Sequence, residues 1–158
     1  MGQPGLQRKD MPMNGKADSQ VINEPLQLKY TKVRITAVSV GNPHAVLFVD
    51  DPDFDIEDMG KEIENHHFFP KRVNVEFVHV VSNGEIDLDT WERGVGETLA
   101  CGTGACASVV ASSLNGKTGR KVKVNLRGGE LLVEWAKDNH VYMTGPATYV
   151  FSGTINVF

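Results

Sequence analysis

WERGVGETLACGTGACASVVASSL, residues 91–114, decides the fold, because it holds a helix with no charged side to turn toward water. From Ala105 the run is Ala, Cys, Ala, Ser, Val, Val, Ala, Ser, Ser, Leu, small or apolar all round, so it predicts a helix enclosed by the rest of the domain. Asn115-Gly116 supplies the left-handed stop. At the front, Thr103 reads as the N-cap, while Gly102 and Gly104 let the main chain approach a ligand and leave the first N–H groups unpaired. Such an end suits an anion.

Cys101 stands immediately before those donors. The positive end of the helix dipole favours thiolate over thiol there, which predicts a thiol acidified toward neutrality and able to take a proton. Cys106 lies five residues on, about 500° around the helix at ~100° per residue, on a different face, and reads as a small core residue. An isolated cysteine in such a chain is more often buried and inert. The flanking glycines and the preceding Glu92-Arg93 pair reverse that reading for Cys101.

Outward from the helix, strand-like runs occur at 32–40, 44–49, 74–82, 85–91, 122–125, 131–137, 140–144 and 148–157. A second helix spans 56–66, its acidic start in the 50–58 run matching the helix dipole. The segment 1–30 is rich in Gly, Pro, Gln and Asn and predicts irregular and edge structure, which leaves 31–158 as the domain proper. The fold class is α+β: a mixed, mostly antiparallel sheet curled around the buried 103–115 helix, with the second helix outside.

Composition bounds the function. The chain has 158 residues, 41% of them hydrophobic, enough for a core, and no apolar run approaches a membrane span. A net charge of -4 and basic residues at 117–123 that alternate with valines argue against nucleic acid. His66-His67 completes no zinc spacing, and the acidic run has the wrong spacing for a calcium loop. Two cysteines too close along one helix to pair, with no signal-peptide core, predict a cytoplasmic protein without an internal disulfide and without a metal.

Several strings together resemble the diaminopimelate epimerases: SVGNPHAVLFVDD at 39–51, FPKRVNVEFVHV at 69–80, WERGVGETLACGTGACA at 91–107, and the GGEL and MTGPA segments. MGQP at the start resembles the family's Met-Gly-x-Pro, so the likeness runs along the whole chain. CGTG alone is also found in proline racemases and hydroxyproline epimerases, which share the fold; ERGVGET and GNPHAV favour diaminopimelate. The resemblance implies a cofactor-independent epimerase of lysine and peptidoglycan biosynthesis that interconverts LL- and meso-diaminopimelate. Two sulfurs would exchange the α-proton from opposite faces.

Carried onto this chain, the resemblance makes Cys101 the second of those sulfurs and gives the N–H groups of Gly102 and Thr103 to the reacting carboxylate. It makes Asn42 and Asn74 substrate-binding amides, and assigns Glu92 and Arg93 to the substrate's far end, with Glu92 also orienting the reacting amino group. It puts His44 near the thiols, where it could assist proton movement. Each has a plainer alternative: a Gly-Asn-Pro turn for Asn42 and His44, a satisfied loop for Asn74, an exposed ion pair for Glu92-Arg93.

The sequence also departs from the family's pattern. The Asn-x-Asp-Gly-Ser segment and the Cys-Gly-Asn-Gly loop of the first half do not occur here, so one of two catalytic cysteines is encoded. The expected partners are diaminopimelate itself and either an N-terminal half or a second copy, with one apolar face left to be covered. Three other readings stay open: a proline or hydroxyproline racemase of the same fold, a cysteine hydrolase using His44, and a non-catalytic assembly domain.

Overall fold

The computed structural model describes residues 1–50 and 55–156. In chain order it contains a short 3-10 helix (Arg8–Asp10), β1 (Glu24–Gln27), β2 (Lys32–Ser39), β3 (Pro43–Phe48), α1 (Ile56–Glu64), β4 (Asn74–Ser82), β5 (Glu85–Glu92), β6 (Gly96–Thr98), α2 (Gly102–Leu114), β7 (Lys121–Leu126), β8 (Gly129–Trp135) and β9 (Val141–Thr144). The strands form one sheet in the order β1-β2-β3-β4-β5-β7-β8-β9, and β6 pairs with the far end of β5. The β3–β4 and β5–β7 ladders are parallel and the remaining ladders antiparallel. The α+β class with a mixed, mostly antiparallel sheet is therefore what forms.

Side chains on a strand alternate between faces, and the central strands bury both. On one face, Ile35, Ala45, Leu47, Val75 and Phe77 pack with Ile56 and Ile63 of α1 and with Met11, Met13, Val21 and Leu26 of the N-terminal segment. On the other, Val38, Val46, Val78, Ile86, Val122, Val124 and Val133 enclose α2 through Ala105, Cys106, Val109 and Val110. Helix α2 touches β2, β3, β4, β5, β7, β8 and β9, so the sheet does curl around it. Every residue from Gly104 to Ser112 is buried, as an uncharged helix requires.

Helix α2 closes as its sequence predicts but starts elsewhere, and α1 ends early. After α2, Gly116 takes φ +66°, its N–H donates to the Ser113 carbonyl, and the Lys117 N–H reaches Ser112. That is the paired C-terminal closure glycine permits. The N-cap of α2 is Cys101 rather than Thr103: its side chain accepts the Gly104 N–H, and Thr103 is already inside the first turn. Helix α1 is capped by Asp55, which accepts the Asp58 N–H, and it ends at Glu64, short of His66. The part of the acidic run at 51–54 lies outside the described residues.

The strand expected over 148–157 does not form over 148–156, and residue 157 lies outside the described residues. Residues 145–156 have no regular structure, and Tyr149, Val150, Phe151 and Ile155 are exposed. The pattern is strand-like, but a strand needs an edge to bond and a face to bury, and neither meets this segment among the described residues. Strands β1 and β6 escape a reading by pattern because one contains Pro25 and the other is three residues long beginning at Gly96. The segment 1–30 is mostly irregular, yet its buried methionines and β1 join it to the same body.

Candidate active site

Cys101 sits where β6 has ended and α2 begins. Its φ of -132° and ψ of 109° are extended, which swings the sulfur back over the first helical turn. There Sγ accepts the Gly104 N–H at 3.4 Å and lies 3.4 Å from Thr103 Oγ1. Ala105 N–H closes the first helical bond on the Cys101 carbonyl. The N–H groups of Gly102 and Thr103 have no acceptor among the described residues, as the first turn of a helix leaves them. Sulfur and free amides therefore share one helix end.

The sulfur is only 7% exposed, and burial has a consequence the helix dipole alone does not predict. Burial pushes the Cys101 thiol up from its ordinary value; the Thr103 hydrogen bond opposes it, the charge of Glu76 adds to it, and the Gly104 N–H opposes while Glu92 adds. The expected acidification toward neutrality is thus corrected: in the protein alone the thiol form is favoured, because desolvation outweighs the two donors. Cys106 is fully buried and pushed up to about 11, as a core thiol should be.

Asn42 and His44 reach this end from the β2–β3 turn. Asn42 Nδ2 donates to Thr103 Oγ1 at 3.2 Å, and His44 Nε2 meets Asn42 Oδ1 at 3.0 Å. His44 is wholly buried and is linked to the sulfur through Asn42 and Thr103. On its other side Nδ1 donates to Glu76 Oε1 at 2.7 Å, and Thr90 Oγ1 donates to Glu76 Oε2 at 2.8 Å. Glu76 of β4 and Thr90 of β5 are directly paired across the ladder, and both point toward α2. Sequence reasoning missed Glu76 and Thr90. The available signal was a carboxylate inside the otherwise apolar Val75-Glu76-Phe77-Val78.

Asn74 begins β4 with both polar atoms engaged by main chain: Nδ2 donates to the Pro43 carbonyl at 3.2 Å, and Oδ1 accepts the Arg93 N–H at 2.9 Å. It clamps the turn carrying Asn42 to the turn carrying Arg93, so the loop-satisfying alternative holds geometrically, with one amide N–H to spare. Glu92 and Arg93 do not pair with each other. Glu92 Oε1 accepts the Thr98 hydroxyl at 2.7 Å, and Arg93 Nη1 donates to the Lys71 carbonyl at 3.0 Å, leaving its remaining N–H groups without a partner among the described residues.

The turn itself is anchored from below by a second missed carboxylate, Glu64. Its oxygens accept Gly94 N–H at 2.8 Å, Arg72 Nη1 at 2.9 Å and Trp91 Nε1 at 2.8 Å. Trp91 in turn packs against α1, where a Cβ on Gly60 would come within 2.6 Å of its ring. The remaining charged motifs are structural. Lys123 pairs with Glu85 and Glu130, Lys121 with Glu134, and His66 Nε2 bonds the Gln27 carbonyl. No cluster of three potential metal ligands occurs among the described residues, and no helix there is long and apolar enough to cross a membrane.

Against known proteins, the family model for diaminopimelate epimerase matches residues 36–150. Diaminopimelate epimerase of Leptospira biflexa is 53% identical over 99% of the chain, and that of Pelotomaculum thermopropionicum 54% over 97%. The chain spans about half the length of these relatives, 56% and 55% respectively. Among solved structures, a probable proline racemase from Agrobacterium radiobacter superposes with a TM-score of 0.54 at 18% identity, covering 72% of this chain and 41% of its own. A hydroxyproline epimerase from Agrobacterium vitis superposes at 0.53 and 17%, covering 72% and 40%. At such identities these two speak for the fold alone. Sequence and fold agree, and the chain belongs to the diaminopimelate epimerase family.

Proposed function

We propose that this chain supplies one half of a two-thiol epimerisation of diaminopimelate. The observation that carries the reading is the sulfur of Cys101 sharing a helix end with two unpaired amides, those of Gly102 and Thr103. A substrate carboxylate bound to those amides places its α-carbon beside the sulfur, and the enediolate charge that develops on deprotonation falls on donors already in position. The same approach brings positive and polar groups to a sulfur otherwise held as a thiol. Cys101 delivers or removes the α-proton on one face, and no cofactor is needed for that step.

Arg93 has guanidinium N–H groups left for the far carboxylate, which a planar fork holds at two points. Glu92, held by Thr98, orients the amino groups. Asn42 and Asn74 each keep one amide N–H for substrate, and His44 acts through Asn42 rather than on the substrate. The other face requires a second sulfur from a first half of the enzyme or another chain. Val95 and Leu99, exposed on the stretch leading into the cysteine loop, suit a covering body. The pathway is that of lysine and peptidoglycan in the cytoplasm.

The test combines this chain with a separately produced first half and follows deuterium exchange into LL- and meso-diaminopimelate, with proline as the competing substrate. The chain alone should show no exchange, the mixture should recover it for diaminopimelate, and Cys101→Ala should abolish it. Arg93→Lys should raise KM about tenfold, the worth of one charged hydrogen bond. Exchange by the chain alone, or preference for proline, would overturn the reading.

A further inference from the structure

Glu76 is a charged group where a core residue belongs. It is 0% exposed, on the β4 face turned toward α2, and a Cβ on Gly104 would fall 2.6 Å from each of its oxygens. A buried carboxylate is costly unless its lone pairs are filled, and here the donors are the Thr90 hydroxyl and Nδ1 of His44. From His44 the hydrogen bonds continue through Asn42 and Thr103 to the sulfur of Cys101. One unbroken chain therefore joins a buried carboxylate to the reactive thiol.

The polarity of that chain follows from its ends. A carboxylate only accepts, so Nδ1 of His44 carries a proton. With Nε2 also protonated and donating to Asn42 Oδ1, the amide turns its Nδ2 toward Thr103 Oγ1, whose oxygen accepts. The Thr103 hydroxyl proton is then left for Cys101. With Nε2 unprotonated the amide must turn over, its oxygen takes the Thr103 proton, and the sulfur loses a donor.

We infer that Glu76 is a positioning residue for Cys101: by holding the His44 ring through Nδ1 it keeps Nε2 on Asn42 Oδ1, so that Asn42 Nδ2 donates to Thr103 and the Thr103 hydroxyl is left to donate to the sulfur. This deepens the epimerase reading and rests on it for its purpose. Its test reads the thiol directly and needs no epimerase activity. The ionisable groups acting on Cys101 are Glu76 from β4 and Glu92 at the end of β5, and His44 faces it through Asn42.

Two explanations of Glu76 predict opposite signs. If the carboxylate acted on the sulfur only through its charge, Glu76→Gln would make the thiol more acidic. If it acts through the hydrogen-bond chain, Gln in place of the carboxylate releases the His44 ring, Asn42 loses its fixed orientation, the sulfur loses the Thr103 donor, and the thiol becomes less acidic. The measurement is the pH profile of Cys101 alkylation by iodoacetamide in the full chain, with fragment-ion mapping to separate Cys101 from Cys106.

Glu76→Gln should move the midpoint up by about one pH unit, a tenfold slower reaction below it. Thr103→Val should shift it the same way, and the double variant should go no further, because both remove the same donor. A folded Glu76→Gln with an unmoved or lowered midpoint would overturn the inference, as would additive shifts. Should the variant fail to fold, Asn42→Ala decides: cutting the link between His44 and Thr103 should raise the midpoint as Thr103→Val does, and an unmoved midpoint refutes the mechanism. Loss of the proposed epimerisation without a change in these readouts would strike the function and leave this inference standing.

Discussion

In α1 the N-cap is Asp55, whose Oδ1 accepts the Asp58 N–H at 3.0 Å; in α2 it is Cys101, whose Sγ accepts the Gly104 N–H at 3.4 Å. The geometry is the same and the acceptors are not. Helix α1 lies on the outside with one buried stripe, Ile56, Gly60, Ile63 and Glu64, and a carboxylate at its solvated end contributes to holding it. Helix α2 is enclosed by strands from β2 to β9 and is held by burial, so a weak acceptor suffices as its cap. The difference teaches where this fold can spare a capping position for chemistry: at the helix whose stability does not depend on it.

The comparison breaks most visibly at Gly104. An alanine there would put its Cβ 2.6 Å from both Glu76 oxygens, so either the helix or the carboxylate must move. Overpacking of this kind costs about 3 kcal/mol, and urea unfolding of Gly104→Ala should show it. Gly60→Ala meets the Trp91 ring at the same distance and tests whether the outer helix has as little room.

Alkaline pH should act on α2 and spare α1. Burial pushes the Cys106 thiol up to about 11 from an ordinary 9.0, so the folded state prefers the neutral thiol more strongly than the unfolded chain does. That contribution is intact below pH 9.0 and is lost as pH rises through about 11. The full effect is about 2–3 kcal/mol. Unfolding of wild type and Cys106→Ala should diverge less at neutral pH than the alkaline slopes do, with the variant flatter.

The smallest effects sharpen the comparison between the caps. Asp55→Ala should destabilise by about 1 kcal/mol. Cys101→Ser should leave stability unchanged within about 0.5 kcal/mol or raise it, because a hydroxyl is a preferred N-cap, while thiol reactivity at that position disappears. Thermal unfolding of the two variants side by side checks both; a large loss on Cys101→Ser would mean that α2 needs its sulfur for stability.

Much of this was legible in the residues. The uncharged run after Ala105 announced a buried helix, the alternation in 74–82 and 85–91 announced strands, and the closure at Asn115-Gly116 formed as read. Glu92, Arg93, Asn42 and Cys101 all gather near one helix end or the turns that frame it. The misses have physical causes. The 148–157 pattern is a strand without an edge to join. Thr103 lost the cap to Cys101 because the extended backbone two residues earlier already carries an acceptor. Thiol acidity was misjudged because a helix dipole can be read from spacing and desolvation cannot.

By itself the sequence determined the period of each element, the small glycine-flanked helix and the family to which its motifs belong, because those are properties of neighbours along the chain. Tertiary structure alone decided that Glu76 lies beneath Gly104, that Thr90 and His44 fill its lone pairs, and that the resulting bonds end at Cys101. Those residues come from β3, β4, β5 and the start of α2, and pairing between strands, which no local pattern encodes, is what sets them side by side.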